Sequence, residues 1–211
     1  MYALVESGNI TRYFNYPKGF TLGDNQYSAD VFTKWTTAER QAIGIYEVTF
    51  DNTNKKDTKW YINTDQTYTY DSVAGTVTAA YGTATAKPHA DTTWTQSEID
   101  GGIAPSDATT STLKSEGLKT ILISQIKKQA GANLSKTDWY VTRKSEKSTA
   151  IPSNISTHRD AVRTKQAEME TAITNAADTA ALETLYTVVN TGTEADPVYE
   201  RPLGELPRLE S

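Results

Sequence analysis

The first third of the chain alternates apolar and polar residues around short turn sequences, a pattern typical of β-strands. Ser7-Gly8-Asn9 separates one pair of alternating runs, and Gly23-Asp24-Asn25 separates a second pair. Glycine and asparagine in such positions favour tight turns between antiparallel strands. Residues 1–35 are therefore predicted to form two β-hairpins.

A short helix and further strands are predicted next. Thr36 and Glu39 have the spacing of a helical capping box, and Gly44 stands where a helix that begins there would end. This helix leads into a predicted strand over residues 45–50. Aromatic and β-branched residues alternate again between residues 60 and 86, which predicts more strands.

The following segment, residues 87–112, has no sustained period of apolar positions. It contains Pro88, the pair Gly101-Gly102 and Pro105, all of which interrupt regular structure. It is predicted to be an irregular linker, or a stretch of chain laid across a neighbouring subunit.

Helical periodicity begins at Leu113 and is predicted to end at Gly131. A second helix is predicted to begin near Pro152, with apolar residues at seven-residue intervals: Ile155, Val162, Met169 and Ala176. A seam this narrow needs one partner helix, so a helical hairpin is predicted. Asp178 is predicted to cap a third short helix, and three prolines favour an extended tail beyond it.

These patterns define an α+β fold class. The order is a small β-rich N-terminal module, an irregular linker, a C-terminal helical hairpin with a third short helix, and an extended tail containing prolines. The predicted boundaries are residues 1–86, 87–112, 113–190 and 191–211.

Charge and hydropathy restrict the classes of partner. The 211 residues include 21 basic and 26 acidic side chains, a net charge of -5, so nucleic-acid binding is not predicted. Residues 1–14 lack a basic stretch followed by an apolar run, and no window is apolar over the length of a membrane span. The protein is therefore predicted to be soluble, without a signal peptide, and made in a cytoplasm.

No arrangement of residues predicts catalysis. His89 and His158 lie far apart without carboxylates at ligand spacing, so no metal site is predicted, and His158 is expected to be exposed. Cysteine is absent, which removes thiolate chemistry. Two carboxylate pairs fit solvated surface better than acid–base catalysis: Glu98 with Asp100, and Glu168 with Glu170. The prediction is a protein that is not an enzyme and holds no cofactor.

Aromatic residues offer candidate binding sites. The four tryptophans and twelve tyrosines could form a platform that stacks on sugar rings. A structural role, in which half-buried aromatic side chains cover the faces of small sheets, explains them better. Trp94 differs because its segment has no predicted core to join. Trp94 is therefore a candidate anchor into a neighbouring subunit.

The sequence LSKTDWYVTR, residues 134–143, separates the two predicted long helices. Asp138 is predicted to cap the start of a turn, and Trp139 is predicted to fold under the helix pair. Arg143 or Arg159 is predicted to reach back to Asp138. If Trp139 is buried in this way, Trp139→Ala costs about 3–5 kcal/mol, as for other buried aromatic residues.

Residues 118–173, about a quarter of the chain, resemble a helical segment of the tail assembly chaperone and tail-fibre assembly proteins of tailed bacteriophages. That segment has a helix, Thr/Ser-Asp-Trp, a short break ending near an arginine, then proline and a helix opening Arg-x-x-Leu/Val-Arg. The matching positions are Thr137, Asp138, Trp139, Arg143, Pro152, Arg159, Val162 and Arg163. The sequence WTTAERQAIGIYEV, residues 35–48, also resembles a unit of tail-fibre-associated proteins.

The resemblance implies an assembly chaperone that acts in the host cytoplasm and is absent from the mature virion. The β-rich module and the proline-containing tail exceed what a minimal chaperone needs, so a structural subunit of the virion tail is favoured. Its expected partners are other tail proteins, at the baseplate or fibre attachment, in a homo- or hetero-oligomer. A carbohydrate-binding tip remains a third possibility. The candidate partner-binding or helix-clamping residues are Trp35, Trp94, Asp138, Trp139, Arg143 and Arg159.

Overall fold

The computed structural model describes residues 1–209, and the chain divides into two compact units. The first unit is Met1–Thr85, and the second begins at Ala86. Strands dominate the first unit and helices the second, so the predicted α+β class, with a β-rich N-terminal region followed by helices, is confirmed.

The first unit contains most of the strands and two short helices. In chain order its elements are β1 (Tyr2–Glu6), β2 (Asn9–Phe14), β3 (Phe20–Leu22), β4 (Asn25–Tyr27), α1 (Asp30–Thr33), α2 (Thr37–Ala42), β5 (Ile45–Asp51), β6 (Tyr61–Ile62), β7 (Gln66–Asp71) and β8 (Thr76–Tyr81). The next short strand, β9 (Thr85–Ala86), lies at the boundary between the units.

Both predicted hairpins are present. Ser7 and Gly8 turn β1 into β2 with φ angles of 50° and 80°, which is the backbone of a type I′ turn. Gly23, at φ 56°, turns β3 into β4. The predicted capping box of α2 also forms, because Thr36 and Glu39 each accept a hydrogen bond from the other's backbone N–H.

The main sheet has five strands in the order β2-β1-β5-β8-β7. Strands β5 and β8 run parallel, and every other neighbouring pair is antiparallel. Buried residues cover both faces: one cluster is Leu4, Phe14, Phe20, Val31, Phe32 and Ile45, and the other is Ala3, Val48, Val77 and Ala79. Leu4 and Ala3 are sequence neighbours on opposite faces, as the alternation of side chains along a strand requires.

The sheet is curled, so that its two edge strands approach each other. The rings of Tyr13 on β2 and Tyr68 on β7 are in contact, with centroids 4.8 Å apart. Tyr46 on β5 and Tyr70 on β7 form a hydrogen bond of 3.0 Å between their hydroxyl groups, across the intervening strand β8. These aromatic pairs help to hold the curled sheet together.

The second unit is mainly helical. Its elements after β9 are β10 (Thr92–Thr93), α3 (Gln96–Asp100), β11 (Leu113–Ser115), α4 (Leu118–Ser135), α5 (Asp138–Lys147), α6 (Ser153–Asn175), α7 (Thr179–Tyr186), β12 (Val189–Asn190) and β13 (Tyr199–Glu200). Pairing joins β10 to β11 and β12 to β13.

Residues 87–112, predicted as an irregular linker, contain regular structure and belong to the second unit. Thr95 and Glu98 form a capping box that begins α3, a signal present in the sequence but not recognised there. Strand β10 pairs with β11 at the position where the first long helix was expected to begin. The prediction of a helical start at Leu113 was therefore wrong.

Helix α4 begins at Leu118 because the preceding chain satisfies its free N–H groups. The backbone N–H groups of Leu118 and Lys119 donate to the carbonyls of Pro88 and His89, each at 3.0 Å. The N–H of Gly117 donates to the carboxylate of Asp91 at 2.7 Å. These bonds replace the intrahelical partners that the first turn of a helix lacks.

Helices α4 and α6 pack together as the predicted antiparallel hairpin. Lys119 of α4 donates to the carbonyl of Thr174 near the end of α6, and Arg159 of α6 donates to that of Leu134 near the end of α4. All four residues of the predicted seam are buried, which confirms it: Ile155, Val162, Met169 and Ala176.

The predicted third helix, α7, also forms. Its cap is Asp178, whose carboxylate accepts a hydrogen bond from the N–H of Ala181 at 2.8 Å. Leu182 of α7 is buried, as is Leu203 in the tail. The N–H of Leu203 donates to the carbonyl of Leu185, so the tail returns to the helices after β13.

Gly131 lies inside α4 instead of ending it, so the predicted stop was wrong. A Cβ atom at Gly131 meets nothing within 4 Å, and Gly131→Ala is expected to raise the free energy of unfolding by about 0.5–1 kcal/mol. Chemical denaturation measures this change. Gly117→Ala is the opposing control, because its Cβ would overlap the backbone of Ala90 and Asp91 and lower stability.

No helix within residues 1–209 is both long enough and apolar enough to cross a membrane.

Candidate functional site

Arg159, near the start of α6, is the centre of a polar network between the helices. Its side chain is buried, and the residue is only 8% exposed. The Nη1 atom donates to the carbonyl of Leu134 at 2.8 Å and to the hydroxyl of Thr137 at 2.7 Å. It also lies 2.9 Å from Oδ1 of Asp138. A buried guanidinium needs partners of this kind, and here it fixes the end of α4 and the start of α5 against α6.

The predicted contact between Asp138 and an arginine exists, and the arginine is Arg159. The predicted cap does not exist. Asp138 is the first residue of α5, and the residue before it, Thr137, makes no capping bond through its side chain. The Thr137 hydroxyl instead donates to the carbonyl of Leu134. Asp138 therefore helps to anchor α5 by its ion pair and by its negative charge at the helix N-terminus.

His158 was expected to be exposed, and this was wrong, since it is 7% exposed. Its Nε2 atom lies 3.1 Å from Oδ1 of Asn133, and the Nδ2 atom of Asn133 donates to the carbonyl of Pro207 at 2.7 Å. Because that second bond orients the amide, Nε2 of His158 is the donor to Asn133. The histidine thus connects α6 to α4 and, through Asn133, to the tail.

A sequence signal for both buried polar residues existed. His158 and Arg159 follow Ile155 by three and four residues, the spacing that places side chains on one face of a helix. The apolar seam that begins at Ile155 therefore already included these positions. Residue type alone favours solvent for a histidine, but the position of His158 on the helix places it on the buried side.

Trp139 does not fold under the helix pair, and that prediction was wrong. Its side chain is 52% exposed, and no residue of α5 is buried. Its ring packs on Tyr140, with centroids 3.9 Å apart, and the Arg143 guanidinium lies over both rings at 4.8 and 5.5 Å. Arg143 contacts aromatic rings and forms no ion pair with Asp138. The cluster of Trp139, Tyr140 and Arg143 therefore lies at the surface of the second unit.

Trp139→Ala is accordingly expected to change the free energy of unfolding by less than about 1 kcal/mol, in place of the loss expected for a buried ring. The physical reason is that little apolar surface leaves a packed environment. Urea denaturation measures the difference, and Met169→Ala, at a fully enclosed position of α6, is the destabilising control. Equal losses in both variants would contradict the exposed position of Trp139.

The other two tryptophan candidates are half-buried within their own units. Trp35 packs beside the core cluster of the first unit, with its ring centroid 6.0 Å from that of Tyr27. Trp94 lies under Lys114, whose ammonium is 5.0 Å from the ring centroid. Trp94 thus has a local partner that its segment was not expected to provide. Within the second unit, the ring of Trp139 is in contact with Tyr140 and not with Trp94.

Glu98 and Lys114 form an ion pair beside Trp94. The Lys114 ammonium, with hydrogen bonds from the N–H and hydroxyl of Thr95, lowers the pKa of Glu98 from 4.5 to about 2. Because folding lowers this pKa, the ionised Glu98 carboxylate stabilises the folded state. This stabilisation is complete above pH 4.5 and is lost as the pH falls toward 2.

Lys114→Met is expected to raise the pKa of Glu98 back toward 4.5, because the variant removes the largest cause of the shift. Carbon-13 NMR titration of the Glu98 carboxyl measures it. Lys127→Met, which removes a cation paired with Glu170, is expected to leave the Glu98 titration unchanged. A Glu98 titration midpoint in Lys114→Met equal to that of the native chain would contradict the attribution of the lowered pKa to Lys114.

The segment 188–200 forms a hairpin in which every residue is exposed. It includes β12, β13 and the loop between them, and we call it the acidic hairpin. Its apolar side chains are Val188, Val189, Val198 and Tyr199, and the last is 69% exposed. Its charged residues are Glu194, Asp196 and Glu200, with no lysine or arginine.

A cavity of about 760 Å³ adjoins the acidic hairpin. Tyr186, Val189 and Tyr199 contribute apolar lining, and Glu200 and Glu205 contribute carboxylates. Arg201 also lines the cavity, with its guanidinium 5.7 Å from the ring centroid of Tyr186 and 4.0 Å from the Glu205 carboxylate. A mixed lining with a few placed charges is typical of binding sites. Sequence reasoning missed this site, although the concentration of acidic and β-branched residues was visible.

The chain matches no known family model, no curated protein and no solved structure. The resemblance of residues 118–173 to phage tail assembly proteins therefore stays a prediction. Within residues 1–209 there is also no group of three or more histidine or acidic side chains placed to hold a metal ion.

Proposed function

We propose that this protein is a non-enzymatic structural subunit of a bacteriophage tail, at the baseplate or the fibre-attachment region, that acts by packing against neighbouring subunits. The observation that carries the proposal is the acidic hairpin. Four exposed apolar side chains on one hairpin are unusual for a chain that works alone, and exposed apolar groups mark protein interaction sites.

The attachment of the hairpin supports this role. It leaves the helices after α7, where Leu182 is buried, and returns where Leu203 is buried. Both ends are therefore held by packed residues while the segment between them lies in solvent. Binding of a partner costs little conformational entropy in the hairpin, because the two ends of the hairpin are already fixed.

A second candidate, a tail-fibre assembly chaperone, is favoured by one observation. The residues that carry the resemblance to assembly proteins form a continuous folded region, from α4 through α6, with Trp139 and Arg143 at its surface. The carbohydrate-binding alternative has less support. A sugar platform needs several exposed rings, but Trp35 and Trp94 are half-buried and Trp60 is buried.

Quantitative mass spectrometry of purified infectious virions tests the proposal. A fixed molar ratio of this chain to the major tail-tube protein is expected for a structural subunit, and the ratio indicates the symmetry of its position. Abundance in infected-cell lysate with absence from virions would support the chaperone instead. Binding on a glycan array that is lost in Trp139→Ala would favour the carbohydrate-binding alternative.

A further inference from the structure

One face of α5 combines aromatic and basic side chains. At 3.6 residues per turn, positions spaced by three, four, seven and eight residues share one side of a helix. This spacing places the following residues together, and we call them the aromatic–basic face: Trp139, Tyr140, Arg143, Lys144 and Lys147. Asp138, whose carboxylate turns to Arg159, lies on a different side. The aromatic–basic face is thus separate from the contact that anchors α5.

The cations of this face have no acidic partner within residues 1–209. Arg143, Lys144 and Lys147 form no ion pair there, and the Nε atom of Arg143 is enclosed without a hydrogen-bond acceptor. The Arg143 guanidinium is held over Trp139 and Tyr140. A guanidinium that is already oriented by two rings loses little freedom when it meets a carboxylate.

The acidic hairpin is complementary to this face in both charge and polarity. It supplies the three carboxylates of Glu194, Asp196 and Glu200 together with four exposed apolar side chains. The adjoining cavity, at about 760 Å³, has room for an indole ring between Val189, Tyr199 and its neighbours. Opposite charges beside exposed apolar side chains are common in protein interfaces.

We propose that the acidic hairpin of one copy of this protein binds the aromatic–basic face of a second copy. Trp139 enters the cavity beside the hairpin, and Arg143 and Lys147 meet the carboxylates of Asp196 and Glu200. The two surfaces differ, so each copy offers one of each and the contact is head-to-tail. Repetition of such a contact gives a closed ring or an open chain.

This inference rests on the proposed function in one respect: a tail subunit that packs against neighbours has neighbours of its own kind wherever the tail has rotational symmetry. The chemistry of the two surfaces is independent of that setting. It therefore predicts self-association of the purified full-length chain.

Sedimentation velocity over a range of concentrations tests the proposal. The native chain is expected to associate reversibly, and association is expected to weaken in 0.5 M salt, which screens exposed charges beyond about 4–5 Å. Two charge-reversal variants are then compared. One carries Arg143→Glu with Lys147→Glu, the other carries Asp196→Lys with Glu200→Lys, and each is expected to raise the dissociation constant about tenfold or more.

Mixing the two variants gives the decisive result. Each variant alone has two surfaces of the same charge, but a mixture again offers an acidic surface opposite a basic one. Association is therefore expected to return when the variants are combined in equal amounts. The matched control, Lys55→Glu with Lys56→Glu, reverses two exposed lysines of the first unit and is expected to associate like the native chain.

Circular dichroism of each variant checks that its helices are intact, which is expected because Lys147, Asp196 and Glu200 are exposed and Arg143 is partly exposed. Trp139→Ala adds an uncharged variant that is expected to fold normally and associate more weakly. A monomeric native chain at the highest soluble concentration would overturn the proposal. Association that persists in both charge-reversal variants, or that their mixture fails to restore, would also overturn it.

The two proposals fail separately. A monomeric chain that is present in virions at a fixed ratio would contradict only the proposed self-association. A chain that associates head-to-tail in solution but is absent from virions would contradict only the proposed structural role in the tail.

Discussion

Arg159→Ala is expected to lower the free energy of unfolding of the second unit by about 3 kcal/mol. The guanidinium is buried and donates to the carbonyl of Leu134 and the hydroxyl of Thr137, so its removal breaks two charge-assisted hydrogen bonds between the helices. The packed stem of the side chain is lost as well. Urea denaturation measures the change, and hydrogen exchange locates it in the ends of α4 and α5.

Asp138→Asn is the matched control for that variant. It removes the charge from the ion pair with Arg159, but the Asp138 side chain is 59% exposed. An exposed carboxylate contributes little, so the loss is expected to stay below about 1 kcal/mol. Equal losses in the two variants would mean that the ion pair, and not the buried bonds to Leu134 and Thr137, stabilises this contact.

Phe14→Ala is expected to have the larger effect in the first unit, a loss of about 3–5 kcal/mol. Phe14 is fully buried, and its ring centroid lies 4.9 Å from that of Phe20 and 5.1 Å from that of Phe32. The substitution leaves a cavity at the point where β2, the β3–β4 hairpin and α1 meet. Because the chain has two units, backbone hydrogen exchange should accompany the denaturation curve to assign the loss.

Tyr13→Ala is its control, from the adjacent position on the other face of β2. Tyr13 is partly exposed and contacts Tyr68 through its ring. Its removal is expected to cost about 1 kcal/mol, the scale of one cross-strand aromatic pair. A loss as large as that of Phe14→Ala would show that the contact between the edge strands stabilises the first unit as much as this core position does.

Local signals in the sequence predicted the elements whose structure depends on neighbours along the chain. The turn at Ser7-Gly8, the capping box at Thr36 and the cap at Asp178 each use residues within a few positions. The seam of α6 was predictable because a repeat of seven leaves one line of apolar side chains on a helix. These features required no knowledge of the tertiary fold.

The errors concern residues whose position depends on distant contacts. Gly131 remains helical because the α4–α6 contact outweighs the helix propensity of one glycine, about 1 kcal/mol. Trp139 was expected to be buried because of its residue type, but it is 52% exposed on a helix in which no residue is buried. The cavity beside the acidic hairpin is lined by residues between 186 and 205, and it forms only because β12 pairs with β13 and the chain then returns to α7, which residue types alone do not reveal.

The strand order of the first unit has a consequence for synthesis. Strand β5 lies between β1, which precedes it in the chain, and β8, which follows about twenty-five residues later. A nascent chain that has just released β5 from the ribosome can pair it with β1 but must leave its other edge open. Open edges recruit other strands, so the interval before β8 emerges is when this protein is most exposed to misassembly on the polysome.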